Sequence, residues 1–308
     1  MIQIQDLRKR YGRMEALKGL TLELEKGTVF GFVGPNGAGK STTMSILATL
    51  LAPTSGKAYV GGYEVTKHPR EVRKLIGYMP DFFGVYDNLT AEEYLEFYAA
   101  NYDIPAARRK VIIPQLLELV NLNHKRDAYV DSLSRGMKQR LGLARCLVHD
   151  PEVLILDEPA SGLDPRARIE LREILKELRN MGKTILISSH ILPELAEMCD
   201  VIGVIEEGKL VAFGRVDEIY TKMREKRVIR IRLLDRLEET IAFLREQPSV
   251  SSVSREGNGV AVGFSGDDEQ QVELLRNLAA AGFSVASFSE EKGDLEEIFL
   301  EITKGVGS

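Results

Sequence analysis

The sequence predicts an α/β domain followed by a smaller α+β domain. Three observations lead to this prediction. Strand-like and helix-like segments alternate through the first two thirds, the last third has its own order of strands and helices, and a charged stretch near Thr221–Arg227 separates the two parts. A length of 308 residues suits two domains. We place them at residues 1–222 and 226–308, with a helical subdomain at about 88–150 within the first.

Composition and charge favour an ordinary globular protein of the cytoplasm. The chain is 44% hydrophobic and 28% charged, with a net charge of −5, which argues against nonspecific binding to nucleic acid. We find no apolar run of about 18 residues and no apolar segment of a secretory signal near the N-terminus. Cys146 and Cys199 are far apart and more typical of buried thiols than of a disulfide, and the histidines show no zinc-binding spacing.

The first part opens with strands and a helix that follows glycines. The segment "IQIQDL" alternates as a strand does, and Val29–Gly34 is an apolar run typical of a buried strand. A helix is predicted from Lys40 to about Leu51, and "KAYVGGYEV" predicts two strands around a Gly-Gly turn. The strand signal fades from about residue 88 to 150, where three helices are predicted, the third starting near Ser134.

Strands and helices alternate again after residue 150. The segments "EVLILDEP" and "KTILISSH" are predicted strands, and "VIGVIEEGKLVAFG" is a predicted hairpin that turns at Glu207–Gly208. Helices are predicted at Pro165 to Met181, opened by a proline in the first turn, and in "ILPELAEMCD". This order favours a largely parallel sheet covered by helices.

The last part has the order β-α-β-β-α-β of a ferredoxin-like fold. The segment "RVIRIRL" is a predicted strand, "LEETIAFLREQ" a helix, and "VSSVSREGNGVAVGF" a hairpin that turns at Asn258–Gly259. The helix "DEQQVELLRNLAAAG" and the strand "FSVASFS" complete the order. A final helix is predicted in "DLEEIFLEITK".

The segment "GPNGAGKST", Gly34–Thr42, fits the phosphate-binding pattern G-x-x-x-x-G-K-[ST] and lies between a predicted strand and a predicted helix. Backbone N–H groups of such a loop surround phosphates, and the helix N-terminus adds a favourable dipole. Lys40 is predicted to reach the β- and γ-phosphates, and Ser41 to ligate Mg²⁺ through its hydroxyl. The alternative is a plain glycine-rich turn, which does not explain a Lys-Ser pair at the start of a helix.

An acidic strand end supplies the second half of this predicted site. In "VLILDEP" an apolar run precedes Asp157, which is predicted to hold the Mg²⁺ shell. Glu158 follows, and it is predicted to polarise the attacking water as a general base. The alternative is an acidic strand end that only caps a helix, and the phosphate-binding loop in the same chain argues against it.

A second anion site is indicated in "DSLSRGMKQRLGLARC", Asp131–Cys146. Ser134 precedes a helix pattern as an N-cap does, and free N–H groups at a helix start bind anions. The alternative is an N-cap without a ligand. A chain that already contains a phosphate-binding loop has little use for another anion site unless that site faces a second copy.

These motifs together resemble the ATP-binding cassette (ABC) family, the nucleotide-binding subunits of ABC transporters. The segment "LSRGMKQRL" resembles the family signature, usually L-S-G-G-Q, which implies that Ser134 and Gly136 contact the γ-phosphate bound by another protomer. Tyr11 matches the aromatic residue that stacks on adenine, Asp164 matches the loop that crosses the dimer, and His190 matches the switch histidine at the γ-phosphate. For Tyr11 and His190 a purely structural role is the alternative.

The resemblance implies ATPase activity, with ATP and Mg²⁺ as ligands. The predicted catalytic residues are Glu158, His190 and Lys40, and the predicted metal ligands are Ser41, Asp81 and Asp157. The residues predicted to contact ATP are Tyr11, Gly34, Pro35, Asn36, Gly37, Ala38, Gly39, Lys40, Ser41, Thr42, Ser134, Gly136 and Asp164.

Three positions depart from the family pattern. Arg135 replaces the first signature glycine and Met137 the usual glutamine, but neither provides the contacts implied for Ser134 and Gly136. In "IGYMPDFFGVYDNLT" the family normally has Gln where this chain has Asp81. An ionised Asp only accepts hydrogen bonds, and it adds negative charge near phosphate. It can still ligate Mg²⁺, so we expect a retained metal-sensing role with altered Mg²⁺ dependence.

The stretch Tyr78–Tyr102 is rich in Phe and Tyr. Some of these rings are expected in the core of the helical subdomain. In ABC proteins this region receives a short helix from the membrane subunit, and Phe82, Phe83 and Tyr86 are the candidates for that contact.

The resemblance covers the whole chain, and its tail resembles the C-terminal extension of ABC-2-type exporter ATPases. It implies a homodimer around two ATP molecules that drives a separate transmembrane permease from the inner face of the cell membrane, with no nucleic-acid partner. The alternatives are a soluble non-transport ABC ATPase and the ATPase subunit of an importer. One phosphate-binding loop and no sustained heptad run argue against ribosomal and DNA-repair members, and the ferredoxin-like tail argues against an importer. The signature and His190 argue against a P-loop kinase or a small GTPase.

Overall fold

The computed structural model describes residues 1–82, 84, 88–218, 227–257 and 259–291. These residues form two compact units, one over Met1–Phe213 and a second that begins at Gly214. The domain limits expected from the sequence, 222 and 226, lie outside the described residues and stay a prediction. Among the described residues, no helix is both long enough and apolar enough to cross a membrane.

The elements up to residue 215 are numbered in chain order. The strands are β1 Ile2–Tyr11, β2 Met14–Leu24, β3 Val29–Val33, β4 Ser55–Val60, β5 Tyr63–Glu64, β6 Ile76–Met79, β7 Val153–Leu156, β8 Thr184–Ser189, β9 Val201–Glu206 and β10 Lys209–Arg215. The helices are α1 Lys40–Leu47, α2 Pro69–Leu75, α3 Ala91–Asn101, α4 Ala106–Leu119, α5 Arg135–Leu147, α6 Pro165–Asn180 and α7 Leu192–Ala196.

The central sheet has the strand order β10-β9-β3-β8-β7-β6, and the pairs between β9 and β6 are parallel. Every residue of β3, β7 and β8 is buried, as expected for parallel strands covered on both faces. Parallel strands end at the same edge of a sheet. The segments that start at Gly34, Asp157 and His190 therefore leave the sheet at one edge, the usual ligand-binding edge of an α/β fold.

A second sheet of the first unit has the order β2-β1-β4-β5 and is antiparallel. Its apolar residues, such as Ile2, Ile4 and Leu20, share one core cluster with Phe30 of β3 and Met44 of α1. The sequence predicted β1, β4 and β5 as strands, but it did not predict that they form a sheet of their own.

Helices α3, α4 and α5 fill the stretch predicted to be helical. Thr90 and Glu93 form a capping box that starts α3, and Ser134 caps α5 at the predicted position. At the end of this stretch, His149 stacks on Tyr102 with ring centroids 3.8 Å apart, and its Nε2 donates to the Ile76 carbonyl at 2.9 Å. Its Nδ1 is buried and has no hydrogen-bond partner among the described residues. Burial lowers the pKa of His149.

One local prediction was wrong, and three elements of the first unit were not predicted. Helix α1 ends at Leu47 rather than near Leu51, because Thr49 adopts the left-handed conformation with φ of +62°. Strand β2 and helix α2 were not predicted. Strand β6 was not predicted either, since its four residues are too few for a periodic signal.

The second unit confirms the predicted order β-α-β-β-α-β. Its elements are β11 Arg227–Leu233, α8 Leu237–Arg245, β12 Val250–Glu256, β13 Gly259–Phe264, α9 Asp268–Ala280 and β14 Val285–Glu291. The antiparallel sheet has the order β12-β13-β11-β14, and its apolar face packs with both helices in one core. Asn258 of the predicted hairpin turn and the predicted helix "DLEEIFLEITK" lie outside the described residues.

Candidate nucleotide site

The loop Gly34–Thr42 joins β3 to α1, as predicted. Gly37 and Gly39 have φ of +84° and +114°, a region that other residues rarely adopt. Gly34 has no space for a side chain, because a Cβ there would lie 2.2 Å from the carbonyl oxygen of Ile205. Pro35, Asn36, Gly37 and Ser41 are exposed, whereas Gly34, Ala38, Gly39 and Lys40 are buried. The backbone of this loop is therefore bent and open to solvent at its tip.

Lys40 is the buried cation of the loop. Its side chain is 6% exposed, and Nζ donates to the carbonyl oxygens of Gly34 at 2.6 Å and Pro35 at 3.4 Å. The same Nζ lies 3.5 Å from Oε1 of Glu158. A buried ammonium needs such partners, and a phosphate that enters the loop would replace carbonyl contacts with a stronger charge-assisted bond.

The strand end after β7 is held by a residue that the sequence analysis missed. Ser188 is fully buried on the neighbouring strand β8; its Oγ donates to Oδ1 of Asp157 at 2.5 Å and accepts from the N–H of Glu158 at 2.8 Å. One hydroxyl therefore positions both acidic residues. The only hint in the sequence was the polar end of "ILISSH" in an otherwise apolar strand.

Glu158 lies between the two other predicted catalytic residues. Its Oε2 is 3.0 Å from Nδ1 of His190, and its Oε1 faces Lys40 at the distance given above. That Oε1 is buried and accepts no hydrogen bond within the described part of the chain. The backbone of Glu158 has a φ of +49°, a conformation that residues other than glycine rarely adopt. The structure thus brings Lys40, Glu158 and His190 together at one edge of the sheet.

Asp81 follows β6 and is exposed at the same edge. Partial burial raises the pKa of its carboxyl, and the negative charges of Asp157 and Glu158 raise this pKa further. Arg135 and His190 act in the opposite direction. Asp81 is therefore within electrostatic reach of the acidic strand end, and its role as a metal ligand stays a prediction.

The signature motif and Asp164 form a separate cleft. Oγ of Ser134 accepts from the N–H of Met137 at 3.3 Å, so Ser134 caps α5, and Oδ1 of Asp164 caps α6 through the N–H of Ala167 at 2.8 Å. Ser134, Gly136 and Asp164 line an open cleft of about 870 Å³. No residue of the loop 34–42, all of which is described, lines this cleft.

Arg135, one of the departures from the family signature, contacts the loop before Asp164. A Cβ on Gly162 would lie 2.5 Å from Cζ of Arg135, so the guanidinium lies against this glycine. Gly162 has a φ of +65°. The arginine therefore contacts the segment between Glu158 and Asp164 of its own chain, which the sequence did not indicate.

Tyr11 and the aromatic residues of the helical subdomain are the remaining predicted residues. Tyr11 ends β1, is 45% exposed and has Lys9 Nζ at 5.3 Å from its ring, so an adenine-stacking role stays a prediction. Phe82 is 89% exposed, whereas Tyr94 is fully buried, as expected for a core ring of the helical subdomain. Phe83 and Tyr86 lie outside the described residues.

Comparison with known proteins places the chain in a family. Residues 17–161 match the ABC transporter family, and residues 214–303 match the C-terminal domain of DrrA1-3-like ATP-binding proteins. The bacitracin transport ATP-binding protein BcrA of Bacillus licheniformis is 35% identical over 306 residues, which cover 99% of this chain and 98% of BcrA. The Nod factor export ATP-binding protein I of Ralstonia nicotianae is 38% identical over 221 residues, 72% of this chain and 69% of that protein.

Among solved structures, the dimeric bacterial ABC transporter cassette MJ0796 is similar, with a TM-score of 0.64 and 26% identity. The match covers 70% of this chain and 99% of that one. With the full-length similarity to BcrA, these matches confirm the expected fold. The chain therefore belongs to the ABC transporter family, as an ATP-binding and ATP-hydrolysing subunit of the exporter group.

Proposed function

We propose that two copies of this chain close head to tail around two ATP molecules and thereby drive a separate membrane permease that exports a substrate. One observation carries this proposal. Lys40, Glu158 and His190 form one cluster beside the phosphate-binding loop, while Ser134 and Gly136 line a different cleft of the same chain. A second copy is needed to bring the two half-sites to one nucleotide, and the dimeric cassette among the similar structures supports that arrangement.

The first half-site binds the ATP phosphates and activates the attacking water. Backbone N–H groups of Gly37 and Gly39–Thr42 and the Lys40 ammonium hold the phosphates, whereas the Ala38 N–H donates to the Pro35 carbonyl. Glu158 accepts a proton from the attacking water, since its Oε1 is buried without a hydrogen-bond donor other than the nearby Lys40. His190, on the other oxygen of Glu158, orients this carboxylate and faces the γ-phosphate.

The residues present fit a magnesium ion that arrives with ATP. The Ser41 hydroxyl and the carboxylates of Asp157 and Asp81 are hard oxygen donors, which Mg²⁺ prefers. Mg²⁺ is usually held by one or two carboxylates and the substrate phosphates rather than by a cage of protein ligands. When bound, the ion would neutralise charge that develops on the phosphates.

The second half-site acts on the nucleotide of the other copy. Ser134 Oγ and the N–H groups at the start of α5 are exposed donors at a positive helix terminus. Two ATP molecules would therefore join the copies electrostatically, and hydrolysis would remove that attraction. Tyr11 is proposed to stack on the adenine of its own chain's ATP.

The permease is a separate chain on this proposal, and it would hold this subunit at the inner face of the membrane. The exposed Phe82, beside the helical subdomain, is the proposed contact, with Phe83 and Tyr86 next to it in sequence. Similarity to BcrA, a bacitracin transport protein, supports a transport role, and similarity to a Nod factor export protein supports export rather than import.

Co-purification from the native cell tests the transport role. The tagged chain is extracted from membranes with mild detergent, beside a Phe82→Asp variant and an exposed-site control, Tyr129→Asp. We expect a polytopic membrane protein at near-equal stoichiometry with the wild type and the control, and its loss with Phe82→Asp. Recovery with ribosomes, with DNA or without any partner would refute the proposal.

A further inference from the structure

Two helices begin side by side at the cleft that holds the signature motif. Helix α5 starts after Ser134 and α6 starts after Asp164. Near these starts the two helices touch, since a Cβ on Gly136 would lie 3.0 Å from Cβ of Ala167. Residues 136 and 140 of α5, and 167 and 170 of α6, share one face of their helices because they are four and three positions apart.

One turn further, an ion pair between a buried arginine and a partly buried glutamate joins the same two faces. Nη2 of Arg140 lies 3.2 Å from Oε2 of Glu170, and the two side chains are 8% and 28% exposed. Nε of Arg166 also lies 3.3 Å from Oε1 of Glu170, but the Arg166 side chain is 91% exposed and belongs to α6 itself. An exposed pair within one helix contributes little. The Arg140–Glu170 pair is therefore the charged contact that links α5 to α6.

Arg140 also fixes the end of a third helix. Its Nη1 donates to the carbonyl oxygens of Val120 at 2.9 Å and Asn121 at 3.3 Å, which follow the last turn of α4. A cation at a helix C-terminus is favoured by the helix dipole. Arg140 thus ties α4, α5 and α6 together beneath the cleft that it lines with Ser134 and Asp164.

We propose that Arg140 and Glu170 are positioning residues for the ATP-bound dimer. They hold the starts of α5 and α6 at a fixed separation, so that Ser134, Gly136 and Asp164 meet the nucleotide of the other copy as one rigid surface. This inference rests on the proposed ATP sandwich. The pair is not expected to affect nucleotide binding to the loop of its own chain, because neither residue contacts Gly34–Thr42.

The test separates dimer closure from nucleotide binding. In a Glu158→Gln background, which keeps ATP unhydrolysed, the mass at saturating ATP is measured by light scattering over a range of protein concentrations. Binding of a fluorescent ATP analogue to the monomer is measured far below the dimerisation constant. Glu170→Gln is added to remove the charge at constant size, and Arg140→Lys to keep the charge without the two-pronged guanidinium.

Glu197→Gln is the matched control. Its Oε2 lies 2.6 Å from Nη1 of Arg172, so it removes an ion pair from α6 that does not reach α5. We expect Glu170→Gln and Arg140→Lys to weaken dimerisation about tenfold or more, as for a buried pair that loses one partner. The monomer's affinity for the analogue should change less than twofold, and the control should behave as the parent.

Three results would overturn the inference. The first is unchanged dimerisation with Glu170→Gln, and the second is a loss of analogue affinity by the same factor as the loss of dimerisation. The third is an equal effect of Glu197→Gln. If Arg140→Lys fails to fold, the more exposed Glu170→Gln carries the test. A Glu158→Gln parent that stays monomeric at saturating ATP would instead refute the proposed sandwich.

Discussion

Ser188 offers a sharp test of how the acidic strand end is built. The Ser188→Ala change removes a hydroxyl that donates to Asp157 at 2.5 Å and accepts from the Glu158 N–H at 2.8 Å, at a site with no solvent exposure. Loss of a hydrogen bond to a charged group costs about 1.5–3 kcal/mol, and a buried unpaired N–H costs about 1–3 kcal/mol. We expect the free energy of unfolding of the first unit to fall by about 3–5 kcal/mol.

The assay is urea unfolding followed by circular dichroism, since the chain has no tryptophan. Ser189→Ala is the matched control, because Ser189 is also buried and, among the described residues, its Oγ accepts one neutral hydrogen bond, from the Ile191 N–H at 3.1 Å. The control should lose about 1 kcal/mol. ATPase activity should also fall in Ser188→Ala, because the Glu158 backbone loses its anchor. Equal unfolding midpoints for the two variants, with unchanged ATPase activity in Ser188→Ala, would refute this reasoning.

Four further predictions concern three positions, Gly34, His149 and Asp81. Gly34→Ala should abolish ATP binding, because its Cβ would lie 2.2 Å from a backbone oxygen, whereas Gly84→Ala, with open space around it, should bind the analogue normally. The pKa of His149 is lowered, so the folded state resists protonation of this side chain, and stability should fall as the pH drops below the ordinary pKa of 6.5. Between pH 7.5 and 5.5 the urea midpoint of a His149→Gln variant should fall less than that of the wild type. The pKa of Asp81 is raised, so its negative charge opposes folding at neutral pH. At pH 7 the Asp81→Asn variant should therefore have a higher Tm than the wild type, and this difference should vanish as the pH falls below the ordinary aspartate pKa of 3.8. Asp81→Gln should also shift the Mg²⁺ dependence of ATPase activity, and unchanged curves would contradict a metal role.

Much of the site was predictable because its residues are consecutive in sequence. The loop Gly34–Thr42 and the pair Asp157–Glu158 can be recognised from short sequence motifs. Both lie where parallel strands end. Ser134 was also predictable as a cap, since a serine before a helix pattern has a local cause.

What the sequence did not predict depends on contacts between distant segments. Ser188 meets Asp157 only because β7 and β8 are neighbours in the sheet, and Arg140 meets Glu170 only because two helices start side by side. The left-handed backbone of Glu158 could not be predicted either, because glutamate usually avoids this conformation. Strand β6 was missed because this short strand is stabilised by its pairing with β7.

The most direct test of the account asks whether half-sites from different chains complete each other. One chain carries Glu158→Gln with Lys40→Ala, and the other carries Glu158→Gln with Ser134→Arg. Each alone should remain at the chain mass of 34.4 kDa in saturating ATP and Mg²⁺, because neither can form an intact composite site. Their mixture contains one intact pair, Lys40 of one chain and Ser134 of the other, and should scatter light as a dimer of twice that mass. A mixture that stays monomeric, or a Ser134→Arg chain that dimerises alone, would contradict the composite site.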